Sequence, residues 1–283
     1  MIWGLLAALG WGSADLGATV GGRRIGSFPT VIIAQAFSAL ATTVILLASG
    51  RGIDRLGSII WILVVNGVVT SSAYYMHYRA LELGPMVVVS PIGASYAVVG
   101  VALAIVILDE RPGLLALVGA IVTIGGVMLT STDLPKLRAG THGRPPGLWW
   151  AVGAAICFGI AAFTLGRAAQ LVGWVPGLWA SRIAQVICFA PLVVVRRREF
   201  VGLAAAGVGL ALLTGLADLL GVVTYSIGSE RGYLSIVLAA SAVFPMIAVA
   251  GSVAFLGERP VSNQYVGVAI AALGLLLLGR SAA

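Results

Sequence analysis

The pentapeptide LDERP, residues 108–112, returns as LGERP at residues 256–260. An offset of 148 residues superimposes the two without a gap. The same offset lays Glu82 on Glu230, Gly84 on Gly232, Gly119 on Gly267 and Gly126 on Gly274. An offset of 147 lays Trp3 on Trp150, Ala7 on Ala154, Ala8 on Ala155 and Gly12 on Gly159. Leu and Ala would coincide by chance in this chain, but an ERP triplet with ordered glycines would not. The chain is a duplication.

The solvent of this duplicated unit follows from composition. Of 283 residues, 60% are hydrophobic and only 10% charged, with a mean hydropathy of +1.06. A water-soluble chain could not hide that much apolar surface, so lipid is its solvent. Apolar runs of about 20 residues recur throughout, each long enough as a helix to cross a ~30 Å hydrocarbon core. The alternating short strands of a membrane barrel are missing. The net charge of +7 sits in short loops between spans, as membrane proteins place it, which argues against nucleic acid as a partner.

Reading apolar runs between charged or Gly/Pro breaks gives ten spans, roughly 2–20, 29–49, 57–80, 85–107, 112–130, 147–169, 174–195, 203–228, 233–256 and 260–279. MIWGLLAALGWG lacks a basic leader region and reads as the first span, not as a removable signal peptide. Residues 131–146, STDLPKLRAGTHGRPP, form the linker between a first five-helix repeat, 1–130, and a second, 147–283. Five is odd, so the second copy must lie upside down relative to the first. The expected fold is all-α and integral to the membrane, with ten transmembrane helices as two inverted repeats. Inverted repeats recur in secondary transporters, where two bundles rock about a central site.

Small residues supply the packing. Gly4, Ala8 and Gly12 form a stripe in span one, and Gly153, Cys157 and Ala161 form one in span six; such stripes let helix backbones approach closely in lipid. Cys157 and Cys188 lie inside apolar runs and read as small core residues, not a disulfide. Pro85, Pro112 and Pro260 open helices, where a missing N–H costs nothing. Pro191 is interior to span seven. Pro91 and Pro245 also lie within spans and are the hinge candidates, with static kinks as the alternative.

Charges are scarce at membrane depth. Of ten acids only Asp15 and Asp218 fall well inside spans, and of 17 bases only Arg182 does. A charge at mid-bilayer costs at least about 2.5–3.5 kcal/mol, so each must meet a partner or a water-filled cavity. Arg182 and Asp218 lie near the centres of spans seven and eight. They form a structural ion pair, or they contact cargo. Their repeat counterparts are Gln35 and Thr70, so the charges are asymmetric on a symmetric scaffold. A zwitterion suits such a site, because a guanidinium holds a carboxylate and an Asp accepts from an ammonium.

The stretch SSAYYMHYRALELGP, 71–85, crowds aromatic and polar residues at the end of span three. Thr70, Tyr74, His77 and Tyr78 share one helical face, and Asp218 and Tyr225 are the span-eight equivalents of Thr70 and His77. Both faces are expected to line one cavity, an interfacial aromatic belt being the alternative. Histidine also titrates near neutral pH when unperturbed and can sense protons. Ser95, Tyr96 and Ser241 are further cargo-contact candidates. Trp150 and Phe158 are an apolar wall or core.

Ten spans in a five-plus-five duplication, WGSADLGATV (11–20) in span one, and LDERP and LGERP closing spans four and nine together resemble the EamA-type exporters of the drug/metabolite transporter superfamily, over residues 1–280. That resemblance implies an inner-membrane carrier exporting amino acids, aromatic ones among them, or related metabolites by alternating access. Asp15 departs from the family pattern, which more often has Asn or another neutral residue there. It is the candidate coupling or structural acid. Glu110 and Glu258, beside Arg111 and Arg259, are expected to anchor or gate the halves.

Other classes lack their motifs. There is no HExxH, no GxSxG and no GxGD setting around Asp15 or Asp218, so an enzyme is not expected. The histidines are His77 and His142, the latter in the linker, and no metal site is expected. No phosphate loop is present, and no cofactor is foreseen. The chain is expected to act as a monomer in the bilayer on a small-molecule substrate. The alternatives to amino-acid export are efflux of cationic drugs, a channel or an embedded enzyme. Loops after odd-numbered spans carry ten Lys/Arg and the other side six. The positive-inside rule thus places the termini outside, whereas the resemblance places them in the cytoplasm, which is the orientation adopted.

Overall fold

Each long apolar run in the chain becomes helix, because in lipid a backbone can satisfy its N–H and C=O groups only within the segment itself. The computed structural model describes residues 1–84, 86–130, 147–256 and 261–281. Pro85, the linker 131–146 with His142, and Glu258, Arg259 and Pro260 lie outside the described residues. The first repeat contains α1 (Ile2–Ile25), α2 (Ser27–Ser49), α3 (Ile60–Leu83), α4 (Met86–Ala94), α5 (Tyr96–Leu108) and α6 (Leu114–Thr130). The second contains α7 (Leu148–Val172), α8 (Trp174–Val195), α9 (Ala205–Arg231), α10 (Leu234–Ser241), α11 (Phe244–Leu256) and α12 (Ser262–Ser281). Single 3-10 turns precede α3 and α9. There is no strand among the described residues. Five helices, α2, α3 with its lead-in turn, α7, α8 and α9, are individually long and apolar enough to cross a membrane. Their outward faces carry exposed apolar side chains such as Leu47, Trp61, Val195 and Leu213, as lipid contact requires.

Two spans read as continuous from the sequence are broken. Span four divides into α4 and α5 at Ser95, and span nine into α10 and α11 at Ala242–Val243. The breaks occupy equivalent places in the two repeats. At the first, the Ser95 hydroxyl donates to the Ile92 carbonyl at 2.6 Å, competing with the helical ladder. At the second, Pro245 has no N–H to return to Ser241. Pro245 thus stands in the first turn of α11, where proline is tolerated, and Pro91 lies inside α4 one turn before its break.

The repeat is visible in conformation. α1 joins α2 through Gly26 alone, and α7 joins α8 through Gly173 alone. Their φ,ψ values are 88°,150° and 92°,151°, a region essentially confined to glycine. Helix α1 packs along α9, and α3 along α7; α6 packs along α12. A Cβ on Gly126 would lie 2.3 Å from the Ala271 nitrogen, and one on Gly274 would lie 2.3 Å from the Thr123 nitrogen. Thr123 and Ala271 are themselves repeat equivalents, so α6 and α12 cross about a local two-fold axis.

The span-one stripe touches backbone as expected: Gly4 meets the Val237 carbonyl and Gly12 the Phe244 carbonyl. Gly153 faces the Met76 sulfur. Cys157 and Cys188 are free thiols. Glu110 reaches from the first repeat to the start of α10, accepting from the Leu234 and Ser235 N–H groups at 2.8 and 3.0 Å and from the Ser235 hydroxyl at 2.7 Å. A carboxylate there satisfies orphan donors and complements the helix dipole.

Candidate functional site

Between the repeats lies a cavity with about 90 Å³ open to the centres of water-sized molecules. Helices α1, α3, α5, α7, α8, α9 and α11 and Gly93 of α4 all contribute to its wall. Its aromatic lining is arranged by the repeat. Trp11 and Tyr225 meet with ring centroids 5.5 Å apart and planes tilted by 40°, and their counterparts Phe158 and His77 meet edge to face at the same 5.5 Å. Tyr96 faces its counterpart Phe244 at 6.4 Å. Tyr74 packs edge-on to Phe158 at 5.1 Å.

A charged cluster lies on one side. Arg182 and Asp218 are 3% and 1% exposed and pair at 2.9 Å. The same guanidinium donates to the Gln35 and Gln185 side-chain oxygens at 2.6 and 2.9 Å, and Tyr74 donates to Asp218 at 2.5 Å. The Tyr74 ring also lies 5.6 Å from the guanidinium carbon. This set neutralises both charges and satisfies most of their hydrogen-bonding capacity, as burial demands.

A second titratable group lies elsewhere in the wall. His77 Nε2 is 2.9 Å from Asp15 Oδ1, and the Ser90 hydroxyl donates to Asp15 Oδ2. In the second repeat the equivalent contact is neutral: the Tyr225 hydroxyl donates at 2.9 Å to the backbone carbonyl of Ala162, the counterpart of Asp15.

Several polar atoms around the cavity are buried without a protein partner. They include His77 Nδ1, the Tyr78 hydroxyl, Arg182 Nε and Gln185 Nε2, with Thr70, Ser181 and Trp11 contributing one each. Buried polar atoms are ordinarily paired. These exceptions are concentrated on residues that line this one cavity.

The sequence candidates separate cleanly. Asp15, Tyr74, His77, Tyr78, Tyr96, Arg182, Asp218 and Tyr225 all line the cavity. Ser95 does not, because its hydroxyl is spent on the helix break. Ser241 also stands behind the wall: its hydroxyl donates to Leu238 O at 2.9 Å and accepts from Tyr96 at 2.6 Å. Phe158 lines the cavity, but Trp150 is 38% exposed and stands edge-on to Tyr75. Tyr75 turns away and accepts from Arg196 at 3.0 Å. Trp11, Asn66 and Gln185 were missed. Trp11 was recoverable as the repeat equivalent of Phe158, and Gln185 as the polar residue one turn after Arg182.

The comparisons agree with this architecture. Residues 1–132 and 145–280 each match the profile of the EamA-like transporter family. No curated protein matches the chain. A crystal structure described only as that of a protein aligns with a TM-score of 0.73 and 17% identity, covering 98% of this chain and 94% of its own. That similarity speaks to the fold.

Proposed function

Because the chain belongs to the EamA-like transporter family, and so is a multi-pass membrane transporter of the drug/metabolite superfamily, we propose that it exports amino acids or closely related zwitterionic metabolites by alternating access. It would do so as a monomer in the cell inner membrane, through the cavity between the two repeats. One observation carries the reading: opposite charges, Arg182 and Asp218, stand together in an aromatic-walled cavity beside unpartnered polar atoms. A zwitterion offers each of them a group of the charge it already pairs with, a carboxylate for Arg182 and a cationic ammonium for Asp218. The ligand can therefore replace the internal pair without leaving either charge bare. The aromatic walls suit a planar or bulky apolar side chain. The broken spans four and nine place helix ends beside the cavity, and broken helices at the repeat interface are where transporters bind cargo.

The repeats also supply a route to alternation. Glu110 of the first repeat holds the start of α10 in the second, and release of that contact would let the two repeats move relative to each other. The test compares intact amino acids with their decarboxylated amines in proteoliposomes. Saturable transport of the amino acids, with amines weaker and amino-acid transport lost in R182Q, supports the proposal. Transport of lipophilic cations in place of amino acids, lost in D218N, would instead assign cationic-drug efflux.

A further inference from the structure

Asp15 is 6% exposed and His77 4%. Both carboxylate oxygens of Asp15 face donors, His77 Nε2 on one side and the Ser90 hydroxyl on the other. With Asp15 ionised the carboxylate only accepts, and Nε2 then carries the ring proton. In the neutral ring Nδ1 is then a bare acceptor. It is buried without a partner, on a residue that lines the cavity, beside Gly93 of α4, whose Cβ would stand 3.4 Å away. Among the described cavity-lining side chains, His77 Nδ1 is a base held without a protein partner.

Charge balance points the same way. The other titratable or charged side chains facing the cavity are Tyr74 and Tyr78 from α3, Tyr96 from α5, Arg182 from α8, and Asp218 and Tyr225 from α9. No such group lines it from α4, α7 or α11 among the described residues. Arg182 and Asp218 cancel, so a neutral His77 leaves the cavity with the single net charge of Asp15. Protonating Nδ1 removes that net charge from a low-dielectric site.

From this geometry we infer that Asp15 and His77 form a one-proton site that exchanges protons with the cavity and carries them against the cargo. The step is proton transfer from cavity water to Nδ1 and its return to water when the cavity faces the other side. Ser90 and Gly93 tie the dyad to α4, the first half of broken span four, so its charge state acts directly on a segment that must shift for access to alternate. The second repeat has only the neutral Tyr225–Ala162 contact at this place, which gives one proton site per chain. The inference rests on the proposed carrier function for its coupling, but proton binding can be read without any cargo.

The test has two arms. The chain has two histidines, so the H142Q protein labelled at the imidazole nitrogens reports His77 alone by NMR in lipid. Over a series of pH values, the doubly protonated ring should be observed in the wild-type dyad, and its population should change in D15N. A His77 ring that never gains its second proton, or that is indifferent to D15N, would overturn the inference. In the second arm, an imposed pH gradient should drive label accumulation through the parent protein, and the ratio of transport with and without gradient should fall to one in D15N and in H77Q. A gradient ratio of one in the parent would overturn the coupling. Silence toward every amino acid in counterflow would overturn the cargo assignment, while the NMR arm still decides the proton site.

Discussion

Gln35 and Arg182 are repeat equivalents whose side chains meet: one guanidinium nitrogen donates to the Gln35 amide oxygen at 2.6 Å. The pseudo-two-fold axis therefore passes close to a contact between one residue type and its own diverged copy. Symmetry brings the positions together, and the second repeat carries a positive charge where the first carries a neutral amide. That charge in turn needs Asp218, which stands where the first repeat has Thr70.

Removing one member of this pair should be far worse than removing both. R182Q or D218N alone leaves a buried uncompensated charge, a loss of about 3–5 kcal/mol. The double variant R182Q/D218N should recover most of that stability while remaining defective in transport. Thermal denaturation of the purified protein in detergent reads the first effect and proteoliposome flux the second.

The α6–α12 crossing should be intolerant of any side chain and equally so from either repeat. G126V and G274V each drive a Cβ into backbone atoms 2.3 Å away, with an expected loss of about 1–3 kcal/mol. The adjacent Gly125 has nothing within 4 Å of its Cβ position, so G125A should hold stability or raise it by up to about 1 kcal/mol. Melting temperatures of the three variants check the order.

Tyr96 and Ser241 should respond asymmetrically to loss of their shared hydrogen bond. Y96F removes the donor, and Ser241 keeps its bond to Leu238, so the loss should be about 0.5–1.5 kcal/mol. S241A strands a buried phenol hydroxyl and should cost about 1–3 kcal/mol. Equal losses from the two substitutions would contradict the donor assignment.

Glu110 should govern exposure at the start of α10. In an L234C background, where position 234 is fully buried, E110Q should accelerate alkylation by a small thiol reagent several-fold. The charge of Glu110 also complements the helix dipole, so a melting loss of about 0.5–1 kcal/mol is expected alongside.

The duplication, the ten apolar runs and the family were legible because each leaves a periodic or repeated trace in one dimension. The cavity face of span three was legible too, since Thr70, Tyr74, His77 and Tyr78 are helical neighbours. The breaks in spans four and nine were not, because both runs stay apolar through Ser95 and Val243. Their cause is local hydrogen bonding at the first and a proline two residues beyond the second. Ser241 was misread for a similar reason: a buried hydroxyl in a span is equally consistent with ligand contact and with support of a neighbour. Asp15 and His77 were each noticed, but their union with Ser90 joins residues 62 and 75 positions from Asp15, a distance no helical period spans.

Arg196 belongs to the basic cluster on which the topology count largely rests. It is held by Glu199 and the Tyr75 hydroxyl and lies 4.3 Å over the Phe28 ring, so a structural role accounts for part of the basic cluster that biases the topology count. With both termini in the cytoplasm, R197C in intact cells should react with a membrane-impermeant maleimide from outside. Labelling only after permeabilisation would reverse the orientation.

The most direct measurement of the carrier assignment is counterflow in proteoliposomes loaded with unlabelled amino acids. The account predicts saturable, transient accumulation of external labelled amino acid, stimulated by the internal pool and lost in R182Q and D218N. Flux that rises linearly with concentration and ignores the internal pool would contradict it, because a channel has no empty carrier to return.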